Sequence, residues 1–236
     1  MERAPQLWLE SLGFPDLGGD GLSAEEQRWG AALPAPRRRQ YLASRVLLRQ
    51  RVGRLLGCPP AELPLYAPPG QPPRLVDRPG WLGLSHSGGG LLMAWAPTPI
   101  GVDLECADRS LRARALIGRF FPEPECRQLQ DWPESRLREA VLRSWVLKEA
   151  AIKWRCRTLA QELTHWSFDH HSGDLSNRVE GLRPPWRAGR SGCWRWAAVG
   201  ADVERLAFQC TREETHRSRS AAIAEVVNVP KTNQSC

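Results

Sequence analysis

Lysine is nearly missing from this chain. Of 33 cationic side chains in 236 residues, three are lysine (Lys148, Lys153 and Lys231) and the other 30 are arginine. Paired cysteine motifs are missing too. The seven cysteines stand at 58, 106, 126, 156, 193, 210 and 236, with no C-x-x-C among them. An odd, unpatterned set argues for a reducing compartment and against a zinc site. No stretch of about 18 apolar residues occurs, and Met1 to Glu10 shows no basic region followed by an apolar run. The expectation is a soluble, cytoplasmic chain without a membrane partner. G-x-x-x-x-G-K-[ST] and G-x-G-x-x-G are both absent, which excludes the standard nucleotide-binding loops. No internal repeat of roughly 20–50 residues is present.

What remains is an ordinary globular composition with a bias of charge. A chain of 236 residues is long enough to bury a core without disulfides or a structural metal. Its formal charge of +7 favours anionic partners: nucleic acid, a phosphate-rich cofactor or an acidic protein. Two of the three lysines fall five residues apart, in Trp145-Val-Leu-Lys-Glu-Ala-Ala-Ile-Lys153. A chain that otherwise relies on arginine uses lysine where a compact, proton-yielding point charge is needed.

Along the chain, Ser23-Ala-Glu-Glu26 has the pattern of a capping box. Arg37 to Leu56 reads as a helix ending at Gly57, with Tyr41, Leu48, Val52 and Leu55 on one stripe. Arg38, Arg45 and Arg49 form a neighbouring stripe, either a solvated face or an anion-binding one. Pro59 to Pro79 reads as loop or extended chain. Residues 81–105 read as strand, glycine loop, strand, turn, strand. In the last of these Ile100, Val102 and Leu104 alternate with Gly101, Asp103 and Glu105. Leu111 to Phe121 reads as a helix stopped by Pro122, with another beginning at Pro124. Ser135 to Arg155 is the longest predicted helix, and 193–200 and 202–209 read as strands. The division expected is 1–105, 106–209 and a poorly ordered tail at 210–236.

Asp103 and Glu105 share one face of a strand. Two carboxylates about 4 Å apart repel by ~4 kcal/mol at an effective dielectric near 20. One of them protonates or a cation sits between them, unless both are simply solvated. Such hard oxygen donors suit Mg²⁺. Glu149 and Lys153, at i and i+4, share a helix face. The apolar flank of Trp145 to Leu147 suggests that the pair is partly buried, and a third metal carboxylate with a phosphate-binding ammonium would satisfy both groups. Ser85-His-Ser-Gly-Gly-Gly90 follows a strand, and such a turn suits an anion or any hairpin.

In order and spacing these segments resemble the phosphopantetheinyl transferases of the surfactin-synthetase-activating type. Ile100-Gly-Val-Asp-Leu-Glu105 and Trp145 to Lys153 resemble the family's G-[IV]-D-x-E and W-x-x-K-E-[SA]-x-x-K signatures. Leu84-Ser-His-Ser-Gly88 is similar to its S-H-S motif, and Phe120-Phe-Pro-Glu-Pro-Glu125 to its F-F-x-x-x-E. The resemblance spans roughly residues 35–208. It implies an α+β fold of two similar halves related by a pseudo-twofold, with the active site at their junction. It implies Mg²⁺ held by Asp103, Glu105 and Glu149, with Lys153 on phosphate and leaving group. Ser85, His86 and Arg45 would contact coenzyme A, the co-substrate. The partner would be an acyl or peptidyl carrier protein whose serine receives the phosphopantetheine arm, and adenosine 3′,5′-bisphosphate would leave. Either Glu149 or a metal-bound water would take the serine proton. A monomer that binds no nucleic acid is expected.

Two departures stand out. Gly70-Gln-Pro-Pro-Arg74 replaces the usual G-K-P, with Arg74 in place of the lysine. Lys153-Trp-Arg-Cys-Arg-Thr-Leu159 has no glycine where the family has K-x-x-G-x-G-L. The residues alone also admit a metal-dependent nuclease, or a non-catalytic module binding coenzyme A or a carrier protein.

Overall fold

The computed structural model describes residues 3–12, 21–108 and 111–210. Its helices begin and end at the stop signals of the sequence. α1 (Ala24–Ala31) opens on Ser23, whose hydroxyl accepts the Glu26 amide while the Glu26 carboxylate accepts the Ser23 amide, a complete capping box. α2 (Ala35–Leu56) has proline in its first turn and closes on Gly57 in the left-handed conformation, φ 67°. α3 (Ala113–Phe120), α4 (Glu123–Leu129) and α5 (Glu134–Trp154) follow, the last two entered directly from prolines. α6 (Leu159–Glu162) is a single turn.

The strands are β1 (Gln6–Ser11), β2 (Leu65–Tyr66), β3 (Arg74–Leu75), β4 (Trp81–Ser87), β5 (Gly90–Ala96), β6 (Ile100–Cys106), β7 (Trp166–Phe168), β8 (Leu175–Asn177), β9 (Trp186–Ser191), β10 (Trp194–Gly200) and β11 (Ala207–Cys210). Two sheets form the body. One runs β11-β1-β5-β4 and the other β6-β10-β9. β1 and β11 pair in parallel and the remaining ladders of these sheets are antiparallel. β6 closes the expected first half, yet it pairs with β10 in the second sheet. The expected strand at 202–209 is a helical turn, Val203–Arg205, followed by the shorter β11. Residues 211–236, expected as a tail, lie outside the described residues.

Strand alternation sorts the core into layers. In β5, Leu91, Met93 and Trp95 pack with Leu48 and Val52 of α2, while Leu92, Ala94 and Ala96 face the second sheet. In β10, Trp196 and Ala198 face the first sheet, and Ala197 and Val199 pack under α5. The order is therefore helix, sheet, sheet, helix, a mixed α+β architecture. Ile100, Val102 and Leu104 of β6 fill the space between the sheets. Gly101, Asp103 and Glu105 are left on the opposite face of that strand, as the alternation predicts, and α5 packs heavily on β6.

Candidate functional site

The site begins with a glycine. A Cβ on Gly101 would collide with the backbone carbonyl of Ala150 and the backbone of Trp154. Without one, β6 lies directly against α5. Two residues further along β6, Asp103 meets the helix face that carries Glu149 and Lys153. Asp103, Glu105 and Glu149 each offer a carboxylate oxygen, and the three lie within 4.8 Å of one another. The Lys153 ammonium is 2.5 Å from Asp103 Oδ1 and 3.7 Å from Glu149. The i, i+4 spacing predicted this shared face. The strand register adds the acids to it.

Burial dominates at Glu149 but not at Lys153. Burial first, then the Asp103 charge, push the Glu149 carboxyl up to about 7, while Lys153 pulls the other way. Burial alone would lower the Lys153 ammonium, but Asp103 and Glu149 outweigh it and raise its pKa. The cluster thus holds three acids and one firmly protonated amine. Asp103 Oδ2 is buried without a hydrogen-bond partner. Three carboxylates with converging oxygens, Asp103 among them with an unpartnered second oxygen, fit a small divalent cation such as Mg²⁺.

Two serines of β4 join this cluster along the seam where β4 and β6 run side by side. Ser85 Oγ donates to Asp103 Oδ1 (2.8 Å) and accepts from the Leu104 amide (3.3 Å) and Lys153 Nζ (3.1 Å). Ser87 Oγ donates to Glu105 Oε2 (2.9 Å) and accepts from the Cys106 amide (3.2 Å). His86 between them is exposed. It lies on the other face of β4, the face by which Leu82 joins the core under α2. The glycines after it make a two-residue hairpin turn. Gly88 and Gly89 both have positive φ, 55° and 76°, and Ser87 pairs with Gly90. Hairpin geometry accounts for both glycines.

A cleft of about 1090 Å³ opens beside the cluster and shares Lys153 with it. One wall is the 70–84 segment; the other is formed by the start of β6 and residues 153–158. Arg45, Arg74, Arg78 and Arg157 also line it, and no acidic residue does among the described residues. Sequence reasoning singled out Arg45 and Arg74 but missed Arg78 and Arg157, which no spacing marks. Arg45 is buried, its Nε donating to the Ala67 carbonyl at 3.0 Å. Arg74 is exposed and stacks 4.5 Å above the Tyr66 ring. The other two arginines of the α2 stripe are braces. Arg49 is fully buried on Glu26 at 2.7 Å, and Arg38 donates to the carbonyls of Gly30, Ala31 and Leu33. Cys156 stands where the resemblance expects a glycine, and takes the left-handed φ of 53° that glycine adopts easily.

The sequence also missed the partner of Lys148. Its ammonium is wholly buried, 2.5 Å from Glu125 and 3.6 Å above the Phe121 ring. Burial pushes Lys148 down while Glu125 opposes. Glu125 further accepts the Phe168 amide at 3.2 Å. The F-F-x-x-x-E segment therefore locks α4 to α5 and does not reach the carboxylate cluster.

Chemically, carboxylates for a cation, an ammonium and an acid-free cleft lined by cations suit phosphoryl transfer. Comparison with known proteins narrows the class. Residues 99–197, which include the carboxylates, Lys148 and Lys153, match the model of the 4′-phosphopantetheinyl transferase superfamily. The chain is 34% identical over 157 residues to a Synechocystis protein carrying a provisional 4′-phosphopantetheinyl transferase name, covering 63% of each chain. It is 32% identical over 157 residues to the Nostoc 4′-phosphopantetheinyl transferase HetI, covering 62% of this chain and 66% of that one. The matches thus span somewhat less than two thirds of each relative. They support the motifs' resemblance to phosphopantetheinyl transferases at the level of the superfamily. Among the described residues no helix is long and apolar enough to cross a membrane, and the six cysteines are free thiols.

Proposed function

We propose that the chain is a phosphopantetheinyl transferase of the surfactin-synthetase-activating type, working as a monomer in the cytoplasm on an acyl or peptidyl carrier protein. The observation that carries this reading is the junction of two features at Lys153: a three-carboxylate cluster and a cation-lined, acid-free cleft. The cleft would take coenzyme A, with Arg45 and Arg74 on its phosphates and His86 reaching them from the α2 side. Arg78 and Arg157 extend the same cationic lining. Asp103, Glu105 and Glu149 would hold Mg²⁺, which when bound neutralises the pyrophosphate charge.

The carrier serine oxygen forms a bond to the β-phosphorus of coenzyme A, and the bond from that phosphorus to the bridging oxygen breaks. Adenosine 3′,5′-bisphosphate leaves and the phosphopantetheine arm stays on the serine. Glu149, ionised once the cation is held, would accept the serine proton from its place in the cluster. Lys153 reaches Asp103 and the cleft together, so it can hold the pyrophosphate and return a proton to the departing bisphosphate. Most of the work is positioning.

The test is incubation with coenzyme A, Mg²⁺ and a panel of apo acyl and peptidyl carrier proteins, read by intact-protein mass. One carrier should gain a single phosphopantetheine, and Asp103→Ala should cut the rate at least ~10²-fold, as for loss of a main electrostatic stabiliser. No mass gain on any carrier would refute the reading.

A further inference from the structure

We propose that Ser85 and Ser87 are positioning residues that aim the Asp103 and Glu105 carboxylates at a shared divalent cation, so that β4 sets the cation affinity of β6. The inference rests on the metal reading above and adds to it two side chains that ligate nothing.

The two serines make the same connection twice. β4 and β6 are edge strands of different sheets, so no backbone ladder between them fixes where the β6 acids point. At each rung a hydroxyl fills the gap. Ser85 takes the amide of Leu104 and gives its proton to Asp103; Ser87 takes the amide of Cys106 and gives its proton to Glu105. The two-residue period is shared by both strands, so one register sets both rungs. The direction of each bond follows from donor counting. An amide and, at Ser85, an ammonium can only donate to the hydroxyl oxygen, so the single hydroxyl proton is left for the carboxylate. Each carboxylate then has one oxygen fixed by the serine. In Asp103 the other oxygen, Oδ2, is buried and unpartnered, the state expected of a ligand atom held ready.

This role conflicts with a phosphate contact by Ser85. A hydroxyl has one proton and two lone pairs, and at Ser85 all three are used within the protein. Cofactor phosphates would have to displace Asp103 from that proton.

The experiment is Mn²⁺ titration of the full chain without coenzyme A, with free Mn²⁺ followed by electron paramagnetic resonance. Coenzyme A binding is measured separately in a metal chelator, and a thermal melt checks each variant. Ser87→Ala should bind Mn²⁺ at least ~10-fold more weakly, the range seen when an outer partner of a metal ligand is lost. Ser87→Thr, which keeps the hydroxyl, should return to near wild type. Ser87 is only half-buried, so both variants are expected to fold. Ser85→Ala should follow Ser87→Ala for Mn²⁺ and leave metal-free coenzyme A affinity within about twofold. Wild-type Mn²⁺ affinity in Ser87→Ala, or weakening shared equally by Ser87→Thr, would overturn the proposal while leaving the metal site standing. A Ser85→Ala that loses coenzyme A affinity but not Mn²⁺ affinity would make Ser85 a cofactor contact instead. A wild-type chain that transfers phosphopantetheine yet binds no Mn²⁺ would overturn the metal reading and this proposal together.

Discussion

Cation binding should release protons from the carboxylate cluster: burial raises both Asp103 and Glu149, and Glu149 lies near neutrality. Glu149 titrates near 7 because burial and Asp103 disfavour its charge. A carboxyl with that pKa is about 90% protonated at pH 6 and about 10% at pH 8. A cation needs the ionised oxygen, so binding should expel about 0.9 proton from Glu149 at pH 6 and about 0.1 at pH 8. Lys153, with its pKa raised, supplies none of it. Calorimetric titration of Mn²⁺ at about pH 6, in two buffers of different ionisation enthalpy, gives the proton count from the difference in apparent heat. Affinity should also fall about tenfold per pH unit below 7. In the metal-free chain the folded pKa of Glu149 lies above its ordinary 4.5. Its contribution to stability is therefore fully present below about pH 4.5 and lost as pH rises through about 7, at most about 3 kcal/mol. Added Mn²⁺ should restore stability above pH 7. A proton count of zero at pH 6 would mean that Glu149 is already ionised, and would refute the electrostatic account of the cluster.

Two further outcomes follow from the packing. Gly101→Ala should lower stability by about 1–3 kcal/mol, because a methyl group meets backbone that cannot rotate away. It should also abolish transfer by moving β6 off α5; a thermal melt and the carrier assay read both, and intact values would mean that the seam has slack. Lys148→Met should destabilise the chain by about 3–5 kcal/mol in denaturant unfolding by removing the cation from buried Glu125, which keeps only the Phe168 amide and the His170 ring beside it. Adding Glu125→Gln should recover much of that loss, and failure to recover it would shift the weight from the ion pair to packing on Phe121.

What the sequence could reveal depended on whether a signal was local. The capping box at Ser23, the stop at Gly57 and the hairpin glycines are set by neighbouring residues, and each is where its motif predicts. The alternation in β6 was legible because that strand has a different surrounding on each face. β1 was not legible for the opposite reason. Leu7 and Leu9 face the second sheet and Trp8 faces α2, so both faces are buried and no period of two appears. The three-residue strands β7 and β8 are too short to carry a pattern. At the site, Asp103, Glu105, Glu149 and Lys153 were named from motifs, and the fold brings all four together. The serine rungs and the Glu125–Lys148 pair need strand register and helix packing, 18 and 23 residues apart in the chain respectively. Spacing along the sequence contains neither.

The scarcity of lysine can be understood on the same geometric basis. Where this chain braces its own backbone it uses the planar fork of arginine. Arg38 spans three carbonyls, and Arg49 joins Glu26 to the carbonyls of Pro60 and Leu63. Such targets are spread in space, and a five-donor fork reaches several at once. At Lys148 and Lys153 the targets converge. The Lys148 ammonium fits between one carboxylate and the face of an aromatic ring, with no exposed surface left. Lys153 directs one nitrogen at Asp103 and Ser85, with Glu149 3.7 Å away, while still lining the cleft. A guanidinium is too wide for the first pocket. In the second it would spread its charge across oxygens that a cation must also reach. The two lysines thus share one geometric rationale and serve different ends, one in the core and one in the proposed chemistry.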